Sequence, residues 1–151
     1  MRIQSTIRFA LPKDIDQIVE LCEWHADYER AEYDRKGKSK KLATALFSDS
    51  PPLYCLVVES DGQLLGYATY MVQYATWDAE NYIYLDCIYL KEYARGLGIG
   101  KKLINRIKAE GKALKCGLMQ WQTPDFNTRA ITFYKRLGAT SKTKERFFLS
   151  W

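Results

Sequence analysis

The chain has 151 residues, 47% of them apolar, which is enough to bury one hydrophobic core and too apolar for a disordered segment. Its net charge of +5 suits any polyanionic partner and selects none by itself. The opening Met1-Arg2-Ile3-Gln4-Ser5-Thr6 lacks the apolar run of a signal peptide, and no apolar stretch reaches the ~18–20 residues of a membrane span, so one soluble, cytoplasmic domain over 1–151 is expected.

Residues 3–9 read as a short strand. Pro12-Lys13-Asp14 then opens a helix, with Asp14 as its cap and Ile15, Ile18, Val19 and Cys22 at helical spacing. A second helix is expected over 40–47, ended by Ser48-Asp49-Ser50-Pro51-Pro52. Strand-like runs over 53–60 and 63–73 flank Asp61-Gly62, a strong hairpin signal. Residues 81–90 form another strand, followed directly by a glycine-rich loop. Residues 99–114 form a basic amphipathic helix whose stripe is Leu103, Ile104, Ile107 and Leu114, with Gly111 as a gap. A strand over 117–122, a helix over 127–137 stopped by Gly138, and a final strand over 145–151 complete the order β-α-α-β-β-β-α-β-α-β. That is an α/β (α+β) arrangement with a mixed sheet, not a regular doubly wound one.

Cys22, Cys55, Cys87 and Cys116 are scattered without a Cys-x-x-Cys pair, and His25 is the sole histidine. A structural zinc site needs paired ligands at short spacing, so no metal is expected and the cysteines read as reduced core thiols. A Ser-His or Cys-His catalytic pair would have to use His25, which reads as a partly exposed helix residue among charged neighbours. Those neighbours are mostly acids: Asp14, Asp16, Glu20, Glu23, Asp27, Glu29, Glu32 and Asp34. They form either a solvated helix face or an acidic wall for a cationic acceptor.

Arg95-Gly96-Leu97-Gly98-Ile99-Gly100-Lys101 lies between a strand and a helix. Glycine admits backbone conformations closed to other residues and lets a ligand approach the amides. Inward-pointing N–H groups and the positive helix end then make an anion site, to which Arg95 and Lys101 add full charges. A Walker loop is excluded, because Lys102 follows Gly100-Lys101 and Arg95 fills the required glycine position. A dinucleotide fingerprint is excluded because the spacing is Gly-x-Gly-x-Gly.

The same loop resembles the Arg/Gln-x-x-Gly-x-Gly/Ala signature of the GNAT superfamily of N-acetyltransferases. Asn127-Thr128-Arg129-Ala130-Ile131-Thr132-Phe133-Tyr134-Lys135-Arg136-Leu137-Gly138-Ala139 is similar to that family's second motif, and the pattern covers nearly the whole chain. Within the superfamily, Tyr84-Leu85-Asp86-Cys87-Ile88-Tyr89-Leu90 and Asp27-Tyr28-Glu29 resemble the diamine (spermidine/spermine) and thialysine acetyltransferases. The resemblance implies a GNAT fold, with a mostly antiparallel sheet of six or seven strands and about four helices. It also implies acetyl-CoA as co-substrate, a small cationic amine as acceptor and a homodimer, with neither nucleic acid nor membrane as partner.

The resemblance implies direct transfer of acetyl to the amine. An alkyl amine has a pKa of ~10.4, so reaching its neutral form costs about 4 kcal/mol at pH 7. A carboxylate that takes the proton lowers that barrier, and Asp86 is the candidate base, with an anchoring role for the substrate ammonium as the alternative. Tyr134 is the implied general acid for the thiolate. A backbone N–H near Ile88 is the implied oxyanion donor, and the backbone of Ile88, Tyr89 and Leu90 is expected to pair with the pantetheine arm. Arg95, Gly96, Leu97, Gly98, Ile99, Gly100 and Lys101 are expected to hold the phosphates. Asn127 is expected to contact the cofactor or order the cleft, and Lys135 to meet the CoA phosphates. Tyr28, Glu29, Glu32 and Asp86 are the candidate acceptor-binding residues. The diamine enzymes carry a second acid where this chain has Cys87, which leaves room for a shorter amine or an amino-acid side chain. Three other readings remain: another amine class (protein lysine, an aminoglycoside or an arylalkylamine), a CoA-binding regulator, and a basic nucleic-acid-binding module.

Overall fold

Asp61 and Gly62 both adopt positive φ, 49° and 77°, which is the backbone a tight two-residue hairpin requires. They join β2 (Tyr54–Ser60) to β3 (Gln63–Ala75) in the antiparallel hairpin expected from the sequence. The computed structural model that shows this describes residues 2–151, and Met1, the first residue of the expected domain, lies outside them. β1 (Thr6–Phe9) pairs antiparallel with β2, and β4 (Glu80–Leu90) pairs antiparallel with β3. β5 (Met119–Gln120) pairs parallel with β4, giving the order β1-β2-β3-β4-β5.

Helices cover both faces of this sheet. α3 (Ile99–Ala113) lays Leu103, Ile104 and Ile107 on one face, against Leu56, Val58, Ala68, Tyr70, Ile83, Leu85 and Leu90. The gap at Gly111 is filled from the sheet, because a Cβ there would stand 3.0 Å from Ile83 Cγ1. α1 (Ile15–Tyr28) lays Ile18 and Leu21 on the other face, against Cys55, Val57, Leu64, Tyr67 and Tyr89, and α2 (Lys38–Leu46) adds Leu42 and Leu46. The middle of β2 is therefore buried on both sides, which is why residues 55–58 form an unbroken apolar run instead of an alternation. α4 (Thr128–Arg136) buries no residue fully and closes the end of the molecule. Gly138, at φ 91°, ends it: its N–H donates to the Lys135 carbonyl and that of Ala139 to Tyr134, satisfying the last turn.

The structure corrects the expected sheet. Among the described residues it has five strands, not six or seven. β1 begins at Thr6 and not at residue 3, and β5 has two residues where six were expected. The segment 145–151 forms no strand and is exposed throughout. A strand needs a paired neighbour, and β5, which would have supplied one, ends at Gln120. Asp14 departs from expectation too. Its carboxylate turns back from α1, accepting the Leu11 N–H at 2.7 Å and pairing with Arg8 at 2.7 Å. The Arg8 guanidinium holds this buried carboxyl below the usual carboxylate range.

Candidate active site

β4 and β5 pair only at Ile83–Met119 and Tyr84–Gln120. Beyond Tyr84, β4 has a strand neighbour on the β3 side alone, and the chain after β5 leaves through Trp121 to Pro124. A cleft of about 1000 Å³ opens at this divergence. Ile88, Tyr89 and Leu90 line it, as do Arg95, Gly96, Gly98, Gly100, Lys101, Asn127 and Tyr134, together with Tyr28, Glu29 and Asp86. Four of the residues singled out from the sequence are not on its wall. Ile99 is 3% exposed in the core, and Leu97 packs against that core. Glu32 and Lys135 are exposed outside it. Helical period explains Lys135: Arg129, Ala130, Phe133, Tyr134, Arg136 and Leu137 fall on the cleft side of α4, and Lys135 falls on the opposite side.

The glycine loop does two jobs. Gly96 and Gly98 take φ of 75° and 80°, so the loop turns through left-handed backbone and delivers the start of α3 to the cleft. The first N–H groups of α3 have no partner within the helix and form its positive end. Gly100 has another reason to be glycine. A Cβ there would stand 3.1 Å from Phe133 Cζ, so α4 packs directly on the first turn of α3. Arg95 is anchored, its Nε donating to the Leu90 carbonyl at 2.8 Å and its guanidinium lying 4.5 Å from the Tyr28 ring centroid. Arg129, Arg136, Lys144 and Arg146 also line the cleft. Sequence reading missed these four cations, although Arg129 and Arg136 stand four residues before and three after Phe133, the helical spacing that brings them to the side of α4 carrying that cleft-lining ring.

Asn127 ties three elements together. Its Oδ1 accepts from the Ala130 N–H at 3.4 Å, capping α4, and from Tyr28 Oη at 2.9 Å. Its Nδ2 donates to Thr123 Oγ1 at 3.2 Å. Tyr134 stands edge-on to Trp121 with ring centroids 5.2 Å apart. Burial, then the nearby Glu29 and Tyr28, push its hydroxyl up to about 12, so it keeps its proton at neutral pH.

Asp86 owes its place to a break in the ladder. Thr69 pairs with Cys87 and Tyr70 with Leu85, so Asp86 is the extra residue of a β-bulge. The bulge changes which face the odd positions serve. Ile83 and Leu85 pack toward α3, whereas Cys87 and Tyr89 pack toward α1. Asp86 is exposed at the cleft, and Cys87 Sγ lies 3.7 Å from its Oδ2.

His25 differs most from expectation. Its side chain is only 13% exposed and lines the cleft. Nδ1 meets Tyr67 Oη at 2.8 Å, Nε2 contacts the Glu29 carboxylate, and the ring stacks on Tyr89 with centroids 5.3 Å apart. Burial works against its charge, but hydrogen bonding toward Cys87 and Glu29 outweighs it and raises the pKa to about 9. Only Glu29, one helical turn on, is a local partner of His25; Tyr67 and Tyr89, which hold its ring, are on β3 and β4, where the local sequence does not show them. Of the acids once grouped with it as a wall, only Glu29 reaches this cleft, and Glu23 and Asp27 border a smaller pocket beside it.

Residues 18–139 match the acetyltransferase (GNAT) family. The chain is 31% identical to the thialysine N-epsilon-acetyltransferase of Mus musculus, over 97% of this chain and 91% of that one. It is 34% identical to the Bos taurus protein of the same name, over 91% and 85%. Among solved structures, an aminoglycoside N-acetyltransferase AAC(6')-Iy in complex with CoA superposes with a TM-score of 0.82 at 18% identity, covering 99% of this chain and 97% of that one.

Proposed function

We propose that this chain, which belongs to the acetyltransferase (GNAT) family and is an N-acetyltransferase, takes acetyl from acetyl-CoA and passes it directly to a small cationic primary amine. The acceptor is a diamine, a polyamine or a thialysine-like amino acid. One observation carries this reading. A single cleft joins a helix N-terminus surrounded by cations to a pair of carboxylates, with a protonated tyrosine on its wall.

The lining fits the co-substrate. Six cations, Arg95, Lys101, Arg129, Arg136, Lys144 and Arg146, complement its pyrophosphate and 3′-phosphate, and the left-handed Gly96 and Gly98 leave the loop amides uncovered. Acetyl-CoA supplies an activated acyl carbon and a thiolate leaving group. At the other end, Glu29 and Asp86 attract the ammonium. Asp86, at the bulge, takes the amine proton, directly or through one water, and Tyr134 delivers a proton to the departing sulfur. The β4 backbone from Leu85 to Leu90, free of a strand on its β5 side, offers hydrogen-bonding groups along the cleft.

We further propose a homodimer in the cytoplasm. Phe147, Phe148, Leu149 and Trp151, together with Trp77 on the β3–β4 turn, present exposed apolar surface of the kind that protein partners cover. Among the described residues no helix is long and apolar enough to cross a membrane. Light scattering should give twice the chain mass, and a monomer at micromolar concentration would rule the dimer out.

The activity is tested by mixing the protein with acetyl-CoA and a panel of polyamines, diamines, thialysine, lysine and peptide amines while following free thiol. Turnover with a small diamine, polyamine or amino acid is expected. Tight CoA binding without turnover of any amine would leave a CoA-binding regulator as the better reading. Asp86→Asn should lower kcat/KM by about 10²-fold and move the pH optimum; an unchanged pH profile removes Asp86 as the base.

A further inference from the structure

His25 lines the cleft, the proposed chemistry does not use it, and both of its ring nitrogens have partners. It stands in the last turn of α1, and Glu29 caps that helix with its N–H donating to the His25 carbonyl at 3.0 Å. A carboxylate at a helix C-terminus faces the negative end of the helix dipole, whereas an imidazolium there is favoured. The two side chains meet across one helical turn, which holds the Glu29 carboxylate at the cleft wall instead of in solvent.

The far nitrogen of His25 is also fixed. Tyr67, 1% exposed, brings its hydroxyl to Nδ1 from beneath, and burial keeps that phenol protonated. With a carboxylate on one nitrogen and a hydroxyl able to accept on the other, both nitrogens can donate, as an imidazolium does. The groups facing His25 are Glu29 at the end of α1, Tyr67 from β3, and Cys87 and Tyr89 from β4, with Cys22 beside Tyr67. Arg95 lies beyond the Tyr89 ring, 5.2 Å from its centroid, and belongs to the glycine loop.

We propose that His25 is a positioning residue that fixes Glu29 and offsets one of the two acceptor-end carboxylates. In its presence the cleft favours an amine acceptor of net charge +1, an amino acid with a side-chain amine, over a diamine or polyamine. This deepens the acetyltransferase reading and rests on it. Glu29 and Asp86 alone would present two negative charges, matched to a dication. With His25 charged, the acceptor end carries one net negative charge and tolerates a carboxylate on the acceptor.

Lysine and 1,5-diaminopentane test this directly, since they differ only by the α-carboxylate. The quantity read is the ratio of their kcat/KM values with saturating acetyl-CoA. The wild-type chain should favour lysine. His25→Gln keeps a donor toward Glu29 but no charge, and should lower the ratio about tenfold, mostly through a higher KM for lysine with kcat moving less. His25→Leu removes the donor as well and should also raise KM for the diamine, because Glu29 loses its anchor. Glu29→Gln should shift the ratio the opposite way, toward lysine, which a generally loosened fold would not do. A His25→Gln ratio within twofold of wild type, in an active enzyme with an unchanged melting temperature, overturns the proposal and leaves the acetyltransferase reading standing. Loss of thiol release with every amine in the wild-type chain overturns both.

Discussion

The two ends of the cleft are built differently. At the glycine-loop end the chain works with its backbone: left-handed Gly96 and Gly98, the open first turn of α3, and Gly100 under Phe133 all lie within a few residues of one another. At the acceptor end it works with side chains from separate elements: His25 and Glu29 from α1, Tyr67 from β3, and Asp86 and Cys87 from β4. The loop of the first end is a local structure, one turn and one helix start, to which Arg129, Arg136, Lys144 and Arg146 add charge from α4 and the chain after it. The second exists only when α1 lies on a sheet carrying a bulge at Asp86. A binding end made of backbone tolerates side-chain drift, whereas one made of long-range contacts can be retuned by single substitutions.

Changes at residues that serve the two ends differently sharpen this contrast. Tyr134 stands between the ends and should show the largest effect. Tyr134→Phe is expected to lower kcat by about 10²-fold or more while CoA affinity is kept, because only a proton donor is lost. An unchanged rate of thiol release at saturating substrate would remove Tyr134 as the acid.

Stability against pH separates the ends next. The folded pKa of His25, about 9, stands above the ~6.5 of an unfolded chain. The stabilisation from its pairing is thus complete below about pH 6.5 and is lost as pH rises through about 9, at most roughly 3 kcal/mol in all. Denaturant unfolding at pH 6 and pH 10 should show a larger loss in the wild-type chain than in His25→Gln. Equal losses would mean that the acceptor end is not held by this pair.

At the loop end the expected effects are conformational and smaller. Gly98→Ala meets no atom within 4 Å but must hold φ at 80°, costing roughly 1–2 kcal/mol and a melting temperature lower by a few degrees. Gly100→Ala has ordinary backbone and must instead displace Phe133. Calorimetry on the pair, with CoA titration, distinguishes strain from displaced packing; a neutral Gly98→Ala would show that the loop does not depend on left-handed backbone.

The smallest effect is expected at Cys87. Direct transfer needs no thiol on the protein, so Cys87→Ser should keep activity to within about twofold despite the nearness of Asp86 and His25. Loss of activity, with an acetyl group found on Cys87 by mass spectrometry of the wild-type chain, would replace direct transfer by an acyl-enzyme route.

Much of the fold was legible because it is encoded locally. The Asp61-Gly62 turn, the stripe of α3 and the Gly138 stop depend on period and on left-handed backbone, which residue types reveal directly. The last strand failed for a complementary reason. Residues 145–151 have the composition of a strand, but composition says nothing about the neighbour that a strand must pair with. Lys135 failed because the motif names a segment, while the turn of α4 decides which of its side chains enters the cleft.

The glycine loop, the second motif and the family could be read from residue order alone, since each is a run of adjacent residues whose spacing carries its physical meaning. The end of the cleft around His25, Glu29 and Asp86 came from folding. It took a bulge to present Asp86, a buried tyrosine to hold His25, and a helix end to set Glu29 at the cleft wall. These are contacts between residues as far apart in the chain as His25 and Cys87, and no local pattern records them.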